Sequence, residues 1–233
     1  MNLQKLREEV LEANLELVRR GLVLYTFGNA SGISREQGLI VIKPSGVPYD
    51  TMKPQDLVVV NLQGHIVEGA LRPSSDLPTH LVLYNAFPSI GGIAHTHSRA
   101  ATSWAQARRA IPCFGTTHAD YSDGAIPVTK PMKPAEIRKD YELNTGLAIV
   151  RRIGKRDPLH LPGVLVAGHA PFCWGATPTE AAHNAVIVEE IAALALQTLT
   201  VNGKTRPIDR VLQEKHFFRK HGNTAYYGQK PTR

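Results

Sequence analysis

Gly91-Gly92-Ile93-Ala94-His95-Thr96-His97-Ser98 is the stretch on which the reading of this chain turns. The apolar run from Ile90 to Ala94 leads into it as a buried strand, and Ser98 to Arg109 follow as a helix. Strand side chains repeat every two residues, so His95 and His97 leave one face with both rings within reach of a single ion. The pair falls at a strand end, where sites on α/β scaffolds gather. An isolated His-x-His is equally compatible with one core histidine and one solvated loop residue, so partners must be sought elsewhere in the chain.

On the N-terminal side, Leu3, Leu6, Val10, Ala13 and Leu17 keep a helical three-four spacing that ends at Gly21. Leu39 to Ile42, Leu57 to Leu62 and His65 to Val67 read as strands, with Gln63-Gly64 turning an antiparallel hairpin between the last two. Pro78 opens a short helix through Phe87. On the C-terminal side, Ile111 to Phe114 and Ile126 to Thr129 are predicted strands, and Pro134 starts a helix running to about Arg152. Val164 to Ala167 and Phe172 to Trp174 are further strands. Thr177-Pro178-Thr179-Glu180 is a capping box that opens a long apolar helix to about Leu199, and a last helix covers Ile208 to His221. With no repeat or linker, residues 1–233 read as one α/β domain in which a mixed or largely antiparallel sheet lies between helices.

Composition narrows the function. The 233 residues are 42% hydrophobic and 20% charged, as in ordinary globular proteins. No unbroken apolar run approaches the ~20 residues of a membrane span. Met1-Asn2-Leu3-Gln4-Lys5 runs directly into the first helix rather than into a signal peptide, and Cys113 and Cys173 form no CxxC motif; a cytoplasmic protein is expected. The net charge of +7 is scattered in small groups without an aromatic-rich RNA-binding signature or a recognition helix. It points to anionic metabolites rather than to nucleic acid. The GxGxxG and GxxxxGK[ST] nucleotide signatures are both absent.

A metal at His95 and His97 needs further ligands. His169, just past a predicted strand, and Asp76, in a proline-bracketed loop, are the candidates. The lesser alternative for Asp76 is to cap the helix at Pro78. Three imidazoles and a carboxylate suit Zn²⁺, with Mn²⁺ or Co²⁺ as substitutes, better than Ca²⁺ or Mg²⁺. Three turns offer small hydroxyls and backbone amides to an anion: Gly28-Asn29, Lys43-Pro44-Ser45-Gly46 and Ser74-Ser75. The last directly precedes Asp76, which places anion and metal on neighbouring parts of one substrate. His65, His80, His118, His160, His183, His216 and His221 lack paired spacing and default to structural or surface roles.

Taken together, Gly28-Asn-Ala-Ser, Ile42-Lys-Pro-Ser-Gly-Val, Pro73-Ser-Ser-Asp, His95-Thr-His-Ser, Gly115-Thr-Thr-His-Ala-Asp-Tyr, His169-Ala-Pro-Phe and Lys220-His-Gly-Asn-Thr-Ala-Tyr-Tyr-Gly resemble the epimerase branch of the class II aldolase/epimerase family. The resemblance runs essentially end to end. It implies a three-layer domain with a largely antiparallel central sheet flanked by helices. It implies zinc on Asp76, His95, His97 and His169, and a substrate phosphate near Gly28, Asn29, Lys43, Ser45, Gly46, Ser74 and Ser75. It further implies Asp120 and Tyr227 as the acid/base pair, and a homotetramer whose tail, about residues 222–233, reaches a neighbour's site. The implied reaction interconverts L-ribulose 5-phosphate and D-xylulose 5-phosphate through cleavage and re-formation of C3–C4. The alternative is a class II sugar-phosphate aldolase that releases dihydroxyacetone phosphate and an aldehyde; aldolases of this group place Glu where this chain has Asp76. Ala167-Gly168 depart from relatives, which often carry a polar residue there, without removing the ligand His169. Glu142 and His216 are weaker site candidates.

Overall fold

Leu6, Val10, Ala13 and Leu17 are all buried, which makes α1 (Leu3–Arg19) an amphipathic helix; Gly21, at φ +68°, turns the chain just beyond it. In the computed structural model, which describes residues 3–222 and 225–227, this helix lies against a seven-stranded sheet. The strands are β1 (Asn29–Ser34), β2 (Leu39–Ile42), β3 (Val58–Asn61), β4 (Ile66–Glu68), β5 (Gly92–His95), β6 (Gly163–Leu165) and β7 (Pro171–Gly175). Their order is β4-β3-β2-β1-β5-β7-β6, and each neighbouring pair is antiparallel.

Strand alternation divides the core in two. Ala30, Val41, Val59, Ala94 and Cys173 face the side covered by α1, α3 (Arg99–Gln106) and α7 (Pro178–Val201). Ile33, Ile40, Ile42, Val58, Val60, Ile93, Phe172 and Trp174 face the side covered by α2 (Leu77–Ala86) and α6 (Tyr141–Ile153). The result is the expected helix-sheet-helix sandwich. His95 follows Ile93 in this alternation and so points to the α2 side.

The central strand β1 escaped the sequence reading. Asn29-Ala-Ser-Gly-Ile-Ser has little apolar content, yet every residue is buried. Its residues are small because helices press on it: a Cβ at Gly32 would lie 2.5 Å from Pro178 and 2.8 Å from Leu6. Two expected strands are absent. Ile111 and Ile126 exchange backbone hydrogen bonds of 3.0 and 3.1 Å, but Pro112 and Pro127 have no amide to extend the ladder, and the pairing stays a single bridge. The helix expected from Pro134 to Arg152 is two helices, α5 (Pro134–Arg138) and α6. Asp140 takes a left-handed conformation (φ +55°) between them, and the Asn144 amide donates to the Glu136 and Lys139 carbonyls freed by the break. The short α4 (Thr116–Ala119) lies in the polar stretch between the two failed strands, and α8 is confined to Arg210–Phe218.

By length and composition, α7 could cross a membrane, which the sequence reading did not allow for. Here Ala181, Ala182, Ala185, Val188, Ile191, Ala192 and Ala195 bury one side of it in the core. The Thr177 hydroxyl accepts from the Glu180 amide (3.1 Å), while the Glu180 carboxylate accepts from Ala176 rather than closing a box on Thr177. Glu189 in turn accepts from the Ala100 and Ala101 amides at 2.8 and 2.9 Å, capping α3 directly after the His-x-His segment.

Candidate metal centre and substrate pocket

The ligand nitrogens of His95, His97 and His169 lie within 4.8 Å of one another. Strand β5 ends at His95, so the two-residue period accounts for only one member of the pair. The extended chain beyond it still brings His97 Nε2 to 3.2 Å from His95 Nε2. His95 stacks on Phe172, ring centroids 4.1 Å apart, and its Nδ1 donates to the Pro171 carbonyl at 2.9 Å. That hydrogen bond fixes the tautomer and leaves the Nε2 lone pair directed at the cluster. His169 arrives on the turn after β6, where Gly168 adopts φ +77°.

Asp76 occupies the N-cap position of α2, but its side chain makes no capping hydrogen bond. Oδ2 instead accepts from Asn29 Nδ2 at 2.7 Å, and the carboxylate lines the same cavity as the three imidazoles without belonging to their 4.8 Å cluster. Burial works to raise the Asp76 pKa, but His95, His80, the Asn29 hydrogen bond and His169 outweigh it, and the group lies below the ordinary carboxylate value. Burial lowers all three imidazoles, His169 to about 4, against the opposing pull of Asp76. Three neutral imidazoles and a carboxylate form a donor set that fits a divalent transition metal.

The cavity, about 460 Å³, holds every residue expected at the metal and phosphate ends: Gly28, Asn29, Lys43, Ser45, Gly46, Ser74, Ser75, Asp76, His95, His97 and His169. Asn29 joins the two ends. It pairs with His95 across β1 and β5, and its amide also donates to Ser74 Oγ at 3.1 Å. Its Oδ1 is buried with no hydrogen-bond partner among the described residues. The Lys43-Pro44-Ser45-Gly46 and Ser74-Ser75 turns are stitched together by Ser45 N to Arg72 O and Ser74 N to Lys43 O, both 2.9 Å. Gly28 is required at φ +75°, since a Cβ there would lie 2.7 Å from the His95 carbonyl oxygen. Lys43 is almost fully buried and its pKa is pushed down to about 8, so it stands behind the turn rather than on the surface.

Asp120 and Tyr227 lie elsewhere. Neither lines this cavity within one chain. Asp120, just past α4, accepts from Arg219 (3.1 and 2.8 Å) and His216 (2.9 Å), with Lys220 at 3.2 Å. Burial raises its pKa, but those three partners together hold it below the ordinary value. The Tyr227 ring lies over Lys220 (4.5 Å) and Arg219 (5.2 Å) and is 63% exposed. The two expected proton-transfer groups therefore share one charged cluster, apart from the metal residues of the same chain. Of the expected tail, residues 223–224 and 228–233 lie outside the described residues.

Thr26, Phe27 and Tyr141 also line the cavity, unanticipated from sequence, and the weaker candidate Glu142 joins them. His80, given a default structural role, is fully buried one helical turn after Asp76. Its Nδ1 is 2.7 Å from Ser31 Oγ, which in turn is 2.8 Å from the Tyr84 hydroxyl. The Asp76–His80 spacing of four on a helix was the available signal.

Burial depresses His80 and His118 to about 4 each. The unfolded chain takes these protons near pH ~6.5, so between those values it binds more protons than the folded state, and stability falls as pH falls. Thermal unfolding of chelator-treated protein should show Tm constant above that window and dropping through it, with a shallower slope in His118→Gln. A flat Tm down to the folded value contradicts the assignment.

The residues 8–196 match the class II aldolase and adducin N-terminal domain family. The chain belongs to that family. It is 54% identical, over 98% of its length and 100% of theirs, to the L-ribulose-5-phosphate 4-epimerases UlaF of Salmonella paratyphi C and Salmonella choleraesuis. Among solved structures it resembles an L-fuculose 1-phosphate aldolase (TM-score 0.76, 26% identity, covering 91% of this chain and 95% of that one). It also resembles YgbL of Klebsiella pneumoniae, described as a putative aldolase/epimerase/decarboxylase (TM-score 0.73, 27% identity, 92% and 99% covered). The antiparallel sheet and flanking helices are thus the class II aldolase architecture, in a family whose metal chemistry the histidine triad suits.

Proposed function

We propose that this chain is a zinc-dependent 4-epimerase that interconverts L-ribulose 5-phosphate and D-xylulose 5-phosphate. The observation that carries the reading is a single cavity joining three neutral imidazoles and Asp76 to the anion turns through Asn29. The 54% identity to named epimerases supports it, as does Asp76 in place of the glutamate typical of the aldolases.

The C4 hydrogen of a 2-ketopentose is not acidic, so inversion there needs the C3–C4 bond to open. A base removes the C4 hydroxyl proton, the bond electrons pass to the three-carbon fragment, and glycolaldehyde phosphate is left. That aldehyde rotates, is attacked on its other face, and the new alkoxide is protonated from the opposite side. Two proton-transfer groups are therefore required. Asp120, held ionised by Arg219, His216 and Lys220, and the Tyr227 hydroxyl fill those roles. Asp76, His95, His97 and His169 would hold a zinc ion, which would supply Lewis-acid stabilisation of charge on the sugar oxygens when bound; Mn²⁺ or Co²⁺ would serve similarly. Gly28, Ser45, Gly46, Ser74 and Ser75 hold the phosphate, with Lys43 behind them, so the two-carbon fragment turns without leaving. The separation of Asp120 and Tyr227 from the metal residues supports an assembly in which neighbouring copies complete each other's sites; we infer a homotetramer, and the cytoplasm as its compartment.

Zinc-loaded protein incubated with L-ribulose 5-phosphate is expected to form D-xylulose 5-phosphate without accumulating glycolaldehyde phosphate. Net release of glycolaldehyde phosphate and dihydroxyacetone would overturn the epimerase reading in favour of an aldolase.

A further inference from the structure

Tyr49, in the loop between β2 and β3, is 5% exposed and has no part in the chemistry above. Its hydroxyl donates to both the Phe27 and Gly28 carbonyls, each at 2.9 Å. Its ring carries the Lys43 ammonium at 4.6 Å from the centroid. That ammonium donates to the Pro44 and Val47 carbonyls at 3.3 and 2.9 Å. One side chain thus grips both anion turns from behind, the first through its oxygen and the second through the cation on its ring face. The first turn also rests on the His95 carbonyl, where Gly28 leaves no room for a Cβ.

We propose that Tyr49 is a positioning residue that sets the spacing between the Gly28-Asn29 and Ser45-Gly46 turns, and so the affinity and placement of the substrate phosphate. The inference rests on the sugar-phosphate reading for the identity of the substrate, not for the linkage itself. The physical reason is preorganisation. Two turns with left-handed glycines (Gly28 φ +75°, Gly46 φ +70°) keep their amides and hydroxyls converged only if something rigid ties them. The hydroxyl shares its one hydrogen between the Phe27 and Gly28 carbonyls, and the cation on the ring is desolvated, where such contacts are strongest.

The test compares zinc-loaded unmodified protein, Tyr49→Phe and Tyr49→Leu, by calorimetric titration with inorganic phosphate and by steady-state kinetics with L-ribulose 5-phosphate. Tyr49→Phe keeps the ring under Lys43 and releases the first turn; it should weaken phosphate binding and raise KM about fivefold to tenfold, with kcat within about twofold. Tyr49→Leu releases both turns and should weaken phosphate binding further. Zinc content and zinc affinity should stay unchanged in both, which a general structural defect would not allow. Phosphate affinity and KM equal to the unmodified protein's in both variants overturn the proposal, as does a parallel loss of zinc. If the unmodified protein binds phosphate but does not turn over the sugar phosphate, the substrate reading falls and the phosphate comparison still decides the role of Tyr49. If the unmodified protein does not bind phosphate, both fall.

Discussion

Replacing His169 with asparagine should strip the protein of zinc at ordinary metal concentrations and lower turnover by about a thousandfold or more. The His169 ring sits 5.0 Å from that of His95 and 4.9 Å from that of His97, and it contributes the third nitrogen of the cluster. Losing one of the four proposed donors removes a nitrogen around which the site is arranged and weakens its hold on zinc, and Lewis-acid stabilisation amounts to several kcal/mol of the barrier. Each ~1.4 kcal/mol is about tenfold in rate. His169 is a better member of the triad to replace for this purpose than His95. It is half-buried on a turn, whereas His95 is packed on Phe172 and its loss would also open the core. The variant should therefore unfold at the temperature of chelator-treated parent protein. Metal analysis checks the first half and a coupled assay the second; one zinc per chain with normal turnover would remove His169 from the site.

Tyr227→Phe should lower turnover by about a hundredfold to ten-thousandfold, the usual range for loss of a general acid or base, while zinc content stays at the parent value. The substitution removes one oxygen and leaves the ring that lies over Lys220 and Arg219. Its effect on folding should be small because the side chain is largely exposed. KM should change little, since neither the phosphate turns nor the metal ligands are touched. An exposed tyrosine in an ordinary tail would show no such loss, and turnover within about twofold of the parent would dismiss it from the mechanism.

Much of the cavity lining could be read from the sequence because its candidate ligands come in short local patterns. His95-x-His97 and Ser74-Ser75-Asp76 each place several groups within a few residues. Their meeting with His169 follows from the β5–β7 pairing, in which His95 lies opposite Phe172. What the sequence hid was hidden for physical reasons. Strand β1 was invisible because the crowding that makes it central also selects small residues, so its burial leaves no hydrophobic pattern. The strands at Ile111 and Ile126 had the right composition, but prolines withheld the donors that a ladder needs. Tyr49 and His80 act on carbonyls and hydroxyls distant in sequence, and no local spacing announces such contacts. The distance between the Asp120–Tyr227 cluster and the metal residues is a property of the folded chain, and composition cannot express it.

On the proposed reading, that separation means that a complete site takes its metal half from one copy and its proton-transfer half from another. Co-expressing His169→Asn and Tyr227→Phe subunits with different tags, and purifying assemblies that carry both, tests this directly. Random assortment pairs an intact metal half with an intact tail in about a quarter of all sites; with the inactive single-variant assemblies removed, tetrameric hybrids of two inactive parents should recover about 30% of the parent turnover. Hybrids as inactive as either variant alone would contradict a shared site.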